Sequence, residues 1–168
     1  MNWNGVVYYP MSNGRKRLLT DSNVCTGCRY CEAICSLVHL GEVNPRLSRI
    51  KVIENTEKGT AKVVVCRQCS RPPCVKACPE GAMEQDSKTG AIIIKYERCN
   101  SCMACVDACP FGTIFISEAQ KLPLVCDLCG GDPMCVKFCR NYPHKGHAAL
   151  AYTTAKEWAK MKREIPSP

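Results

Sequence analysis

Cys99-Asn100-Ser101-Cys102-Met103-Ala104-Cys105-Val106-Asp107-Ala108-Cys109-Pro110 decides how this chain is read. Its spacing is C-x₂-C-x₂-C-x₃-C-P, in which three closely set thiolates hold three corners of one [4Fe–4S] cube and the fourth cysteine serves another. Two x₂ gaps make tight turns that fold three sulfurs and several backbone N–H groups around one compact anion. The x₃ gap spans one helical turn, so Cys109 is expected roughly 6 Å along a helix from Cys105 at about 1.5 Å rise per residue. One such run therefore implies a second.

The chain has sixteen cysteines in 168 residues, and all of them fall into four quartets. The first is Cys25-x₂-Cys28-x₂-Cys31-x₃-Cys35, and the second is Cys66-x₂-Cys69-x₄-Cys74-x₃-Cys78. The run above is the third, and Cys126-x₂-Cys129-x₅-Cys135-x₃-Cys139 is the fourth. Such density leaves disulfides, zinc or iron–sulfur clusters. Disulfides need an oxidising compartment, whereas residues 1–20 are polar with no apolar signal stretch, so a reducing cytoplasm is expected. Structural zinc wants two separated pairs converging on one tetrahedral ion. Quartets two and four alone could pass for that; quartets one and three crowd four sulfurs into eleven residues and could not. Iron–sulfur chemistry uses every cysteine.

A formal net charge of +8 suggests a nucleic-acid partner, but it counts each cysteine as a neutral thiol. An oxidised [4Fe–4S] core on four thiolates carries about −2, so four cubes bring about −8 and take the loaded protein near neutrality. The basic side chains are then counter-charges, and no nucleic acid is expected. No apolar run approaches the length of a membrane span.

Between the quartets the chain repeats one theme. A strand is expected over residues 16–20 and a helix over 32–40 that Gly41 ends, with Pro45 keeping it from resuming. Alternating or β-branched runs at 48–54 and 61–65, 82–85 and 91–95, and 113–117 and 122–125 each flank a polar turn and read as hairpins. Each hairpin delivers the chain to a cysteine loop and a one-turn helix. Repeat intervals of 41, 33 and 27 residues between first cysteines are too uneven for a solenoid. After Cys139 comes a His/Pro/Gly-rich stretch and then a helix to about Arg163, started by a capping box of Thr154 and Glu157. Residues 140–168 carry four net positive charges, a plausible docking element or a solvated cover.

The second quartet reads Cys66-Arg67-Gln68-Cys69, then Pro72-Pro73-Cys74-Val75-Lys76-Ala77-Cys78-Pro79-Glu80-Gly81-Ala82. With it, residues 25–139 resemble the four-cluster ferredoxin-like subunits of molybdenum and tungsten oxidoreductases and hydrogenase complexes. Cys35-Ser36-Leu37-Val38-His39-Leu40-Gly41-Glu42-Val43-Asn44-Pro45 is similar to the small subunits that accompany tungsten enzymes of the aldehyde:ferredoxin oxidoreductase class, benzoyl-CoA-reducing relatives included. The resemblance implies that quartet one pairs with four and quartet two with three. Cube one then lies on Cys25, Cys28, Cys31 and Cys139, and cube two on Cys66, Cys69, Cys74 and Cys109. Cube three lies on Cys99, Cys102, Cys105 and Cys78, and cube four on Cys126, Cys129, Cys135 and Cys35. Ser36 and Arg140 stand where the other two quartets have proline, so the one/four pair is expected to be more exposed or differently tuned.

The fold class expected is α+β: two bacterial-ferredoxin-like modules with short hairpins and one-turn helices, plus a C-terminal helix. Residues 1–24 form an N-terminal arm, 25–60 and 111–140 an outer module, 61–110 an inner module, and 141–168 a basic tail. No catalytic residue is expected: there is no phosphate loop, no Ser/His/Asp order and no flavin or nicotinamide fingerprint. His39 reads as packed, and His144 and His147 as surface loop residues. Asp107 stands where Lys76 and Lys137 stand in sister helices, a charge difference expected to make the cube under quartet three harder to reduce. The resemblance implies an electron relay in an anaerobe, between a large tungsten or molybdenum pterin subunit and a ferredoxin or flavin subunit, with end-to-end self-association a further expectation. A freestanding polyferredoxin and a zinc-containing nucleic-acid module are the alternatives.

Overall fold

The computed structural model describes residues 14–139 and 147–164. In chain order it contains β1 (Arg17–Thr20), α1 (Tyr30–Leu40), β2 (Ile50–Asn55), β3 (Thr60–Val65), α2 (Pro73–Lys76), β4 (Met83–Gln85) and β5 (Ile92–Ile94). Then follow α3 (Ala104–Asp107), β6 (Phe115–Ser117), β7 (Leu122–Leu124), α4 (Met134–Cys139), β8 (Leu150–Thr153) and α5 (Ala155–Glu164). The strands form two-stranded antiparallel sheets, β1 with β8, β2 with β3, β4 with β5 and β6 with β7. It is a small mixed α/β fold of short hairpins and a few helices.

The hairpins lie where alternation placed them. In β2–β3 the register runs from Ile50 opposite Val65 to Asn55 opposite Thr60. Ile50, Val52, Ala61, Val63 and Val65 turn inward along it, while Lys51 and Lys62 do not. A lone two-stranded hairpin is marginal in water, so each sheet leans on the cysteine-rich interior, where Cys31, Cys35, Cys66, Cys74, Cys105, Cys126 and Cys135 are buried among Ile50, Ile92, Leu128 and Leu150.

Pro79 and Pro110 follow Cys78 and Cys109, and α2 and α3 stop after one turn, because proline has no N–H for the ladder and clashes with the preceding turn. Ser36 occupies that place after Cys35, and α1 runs on to eleven residues, so it is not a one-turn helix. The Ser36 hydroxyl donates to the Ala33 carbonyl at 2.9 Å and accepts the Asn44 N–H at 2.9 Å, pinning the following loop. Gly41 ends α1 at φ 75°, its N–H donating to the Leu37 carbonyl at 2.9 Å. Pro45 does more than block the helix, since it opens a 3₁₀ turn over Pro45–Leu47. Glu32, fully buried on α1, accepts Arg29 Nε at 2.8 Å and the Val52 N–H at 2.7 Å, and so ties helix to hairpin.

Two expectations are corrected. Strand β8 was not foreseen, and it joins the arm to the tail through β1, with Leu18 opposite Tyr152 and Thr20 opposite Leu150. His147 is not a surface residue: its side chain is only 12% exposed, and its Nε2 lies 3.3 Å from Asp21 Oδ2. Asp21 also takes Lys162 Nζ at 2.6 Å and the Asn23 N–H at 3.1 Å, and the Trp158 ring meets His147 edge-on at 5.8 Å. Burial raises the Asp21 carboxyl, but Lys162, Asn23 and His147 outweigh it and hold the group below the usual carboxylate range. The capping box at α5 is present, with Thr154 N–H donating to Glu157 at 3.1 Å and Glu157 N–H donating to Thr154 Oγ1 at 3.2 Å. Among the described residues no helix is long and apolar enough to cross a membrane. Arg140, His144 and residues 1–13 lie outside the described residues.

Candidate metal centre

The four C-x-x-C loops share one backbone feature. The residue before the second cysteine has positive φ in each: Gly27 at 73°, Gln68 at 43°, Ser101 at 61° and Leu128 at 58°. Three of these are not glycine, and each such residue costs roughly 1–2 kcal/mol. Left-handed residues in such loops turn successive N–H groups to one concave side, the geometry that cradles anionic clusters. Asn100 and Asp127 reinforce the turns, their side-chain oxygens accepting the N–H groups of Cys102 at 3.1 Å and Cys129 at 3.0 Å. The x₃ spacing then puts Cys31 and Cys35 on α1 and Cys135 and Cys139 on α4, whereas α2 and α3 carry Cys74 and Cys105 and end two residues before Cys78 and Cys109.

The structure brings the sixteen cysteines into neighbouring groups, all of them free of disulfides. One cavity is walled by Cys25, Cys28, Cys31 and Cys139, and another by Cys35, Cys126, Cys129 and Cys135. Helix α2 packs on α3, where Cys74 lies in the field of Cys109, Cys69 and Cys105, and Cys105 in that of Cys99 and Cys78. Between groups, Cys135 feels Cys31, Cys66 feels Cys126 and Cys74 feels Cys105. The groups thus follow one another in a row. Of the sixteen only Cys28 and Cys102 are exposed, and they belong to the two ends of that row.

As bare thiols the buried members of these groups would be hard to ionise. Burial first, then Glu32 and neighbouring sulfurs, push Cys31 up to about 12. Burial likewise takes Cys74 and Cys126 to about 12 and Cys105 to about 11, and raises Cys66 and Cys135 well above the ordinary range. Where burial and like charge disfavour these buried thiolates, a cationic partner is needed to hold them ionised. Four sulfurs facing one cavity, with N–H and O–H groups aimed at them, fit an iron–sulfur cube. Ala82 N–H donates to Cys78 Sγ at 3.2 Å, Arg49 N–H to Cys35 Sγ at 3.3 Å, and Thr113 Oγ1 lies 3.4 Å from Cys109 Sγ.

Sequence reasoning missed the polar group beside Cys129. His39, packed as expected with a side chain 14% exposed, points Nε2 toward Asp127 Oδ1 at 3.5 Å and Cys129 Sγ at 4.0 Å. Burial and then Arg49 hold the His39 ring below its ordinary pKa, against the pull of Asp127. The guanidinium of Arg49 pairs with Asp127 in turn. The signal was the i,i+4 spacing of Cys35 and His39 on one helix face. The expectation of a more exposed one/four pair is overturned, since Cys31, Cys35, Cys126 and Cys135 are buried. Lys76, Asp107 and Lys137 are all exposed, and Lys137 pairs with Asp132, so solvent screens the charge difference assigned to them.

Known proteins carry the same pattern. The family of 4Fe-4S dicluster domains matches residues 60–145. Over 137 residues the chain is 43% identical to the polyferredoxin-like subunit of aliphatic sulfonate oxidoreductase from Pyrococcus furiosus, covering 82% of this chain and 77% of that protein. It is 33% identical over 154 residues to the electron transport protein HydN of Escherichia coli, covering 74% of this chain and 83% of that one. Among solved structures, a chain of the BamBC active-site complex of benzoyl coenzyme A reductase with 1,5-dienoyl-CoA is 26% identical, covers 91% of this chain and 79% of its own, and has a TM-score of 0.48. With its sixteen cysteines disposed for four [4Fe–4S] clusters, this chain belongs to the 4Fe-4S dicluster family of ferredoxin-like electron-transfer proteins.

Proposed function

We propose that the chain is the non-catalytic electron-transfer subunit of a tungsten or molybdenum oxidoreductase in the reducing cytoplasm, relaying electrons between a large pterin-bearing subunit and a ferredoxin or flavin partner. Each cube, when bound, takes and passes on one electron. Cube one is held by Cys25, Cys28, Cys31 and Cys139, cube four by Cys126, Cys129, Cys135 and Cys35, cube two by Cys66, Cys69, Cys74 and Cys109, and cube three by Cys99, Cys102, Cys105 and Cys78. Electrons pass in that order or its reverse. Residues 61–110 form the inner ferredoxin-like module, and 25–60 with 111–140 the outer one.

The observation that carries this reading is the row of cysteine groups with Cys28 and Cys102, the two exposed members, at opposite ends. A wire needs its terminal cubes near solvent and its inner cubes enclosed, and burial follows that order. The outer face of α1 and the loop after it favour a lasting subunit over a free carrier: Leu37, Val38, Leu40 and Val43 are 42%, 44%, 42% and 62% exposed. Lasting interfaces are more apolar than transient redox encounters. The relative in Pyrococcus furiosus, described as a polyferredoxin-like subunit, supports the same role.

The test is purification without oxygen from the native host, keeping whatever copurifies. A larger chain carrying tungsten or molybdenum is expected, and adding its substrate, an aldehyde or an aliphatic sulfonate, reduces the cubes of this chain. A chain that isolates alone and accepts no electrons from either substrate contradicts the subunit reading and leaves a freestanding polyferredoxin.

A further inference from the structure

Cys35 and His39 stand one helical turn apart on α1, on the face that carries Cys31, Glu32, Cys35 and Ser36 inward. The His39 Nε2 is 4.0 Å from Cys129 Sγ and 3.5 Å from Asp127 Oδ1. Once Cys129 holds iron, both neighbours are acceptors, so Nε2 carries a proton toward them whether the ring is neutral or charged. Asp127 is fixed in its turn by the Arg49 guanidinium and by the N–H of Cys129. The Arg49 N–H donates to Cys35 Sγ at 3.3 Å. Two N–H groups therefore reach sulfurs of a single group of four cysteines.

That group is also the most deeply enclosed, with Cys35, Cys126 and Cys135 buried, whereas each other group has at most two buried members. Burial resists the extra negative charge of a reduced cube, and hydrogen bonds to its sulfurs stabilise that charge. An inner cube governed by burial alone would be a barrier between its neighbours. Donors at Cys129 and Cys35 oppose this.

We propose that His39 is a potential-setting residue: its Nε2–H, oriented by Asp127 and Arg49, donates to the Cys129 sulfur and keeps the cube on Cys35, Cys126, Cys129 and Cys135 reducible within the relay. This rests on the ligand sets proposed above. Cys35, Cys126, Cys129 and Cys135 would already supply four thiolates to that cube, so His39 is assigned to a ligand sulfur and not to the iron.

The test compares wild type, His39→Leu and His39→Gln, each as the full chain purified without oxygen, by iron content and redox-poised EPR. His39→Leu lowers the midpoint of one cube by about 59 mV, a tenfold change in its one-electron equilibrium, and leaves the other three in place. His39→Gln, whose amide still donates, recovers part of that change. Four unmoved potentials in a fully loaded His39→Leu overturn the proposal. Should His39→Leu lose iron, pulsed EPR on wild type with isotopically labelled histidine decides. A weak nitrogen coupling and an exchangeable proton on one cube, with the nitrogen coupling absent in His39→Gln, uphold it. No coupling, or the strong coupling of a nitrogen bonded to iron, overturns it. Wild type with iron well short of four cubes overturns the ligand sets themselves, so the iron count separates that failure from a failure of His39.

Discussion

Gly27 and Ser101 occupy the same place in their loops, both left-handed, yet only one has the residue suited to it. A Cβ at Gly27 would meet Ala61 at 3.6 Å and Glu54 at 3.7 Å, ordinary contacts, so Gly27→Ala adds backbone strain and little else. We expect it to destabilise the loop by about 1–2 kcal/mol, and Ser101→Gly to relieve about the same. Followed by visible absorbance in urea, the cubes are lost several-fold faster from Gly27→Ala than from wild type and more slowly from Ser101→Gly. Equal rates in all three would mean that the loops carry no strain. The cysteines and their grouping into quartets were legible in the sequence because spacing alone encodes them. The His39–Asp127–Arg49 group was not, because Arg49 and Asp127 lie far apart in the chain and meet only once α1 is seated on α4.

At the scale of elements, Ser36 stands in α1 where proline follows α2 and α3, and α1 runs to three turns. Ser36→Pro removes a ladder N–H inside α1 and clashes with the preceding turn, and is expected to destabilise by about 3 kcal/mol or more. It also cuts the Ser36–Asn44 tie. Circular dichroism and the iron count read this directly, and an unchanged helix with full iron would contradict it. Hairpins and helices were legible to within a residue or two, since alternation, turn residues and the Thr154–Glu157 box are local signals. Strand β8 was not, because Leu150–Thr153 is a strand only by virtue of β1 at the other end of the chain.

That pairing makes the two ends of the chain one structural unit, with Asp21 holding α5 through Lys162 and His147. The Asp21 carboxyl ionises more readily in the folded protein than in an open chain. Its contribution is therefore complete above the ordinary carboxylate range and is lost as pH falls through its lower, folded value. Amide exchange in α5, compared at each pH with Asp21→Asn, should show protection that exceeds the variant near neutrality and converges on it in acid. A constant difference would place the clamp elsewhere. For the molecule as a whole, charge and burial agree. A basic chain with a net charge of +8 encloses thiols that burial keeps from ionising; the iron of four cubes supplies the cation that holds them as thiolates, and the net negative charge of the cubes balances the chain.

The most direct measurement is iron, acid-labile sulfide and zinc per chain on protein purified without oxygen. Four cubes predict about sixteen iron and about sixteen sulfide, with zinc absent. Zinc without sulfide, or iron sufficient for only two cubes, would contradict the account at its centre.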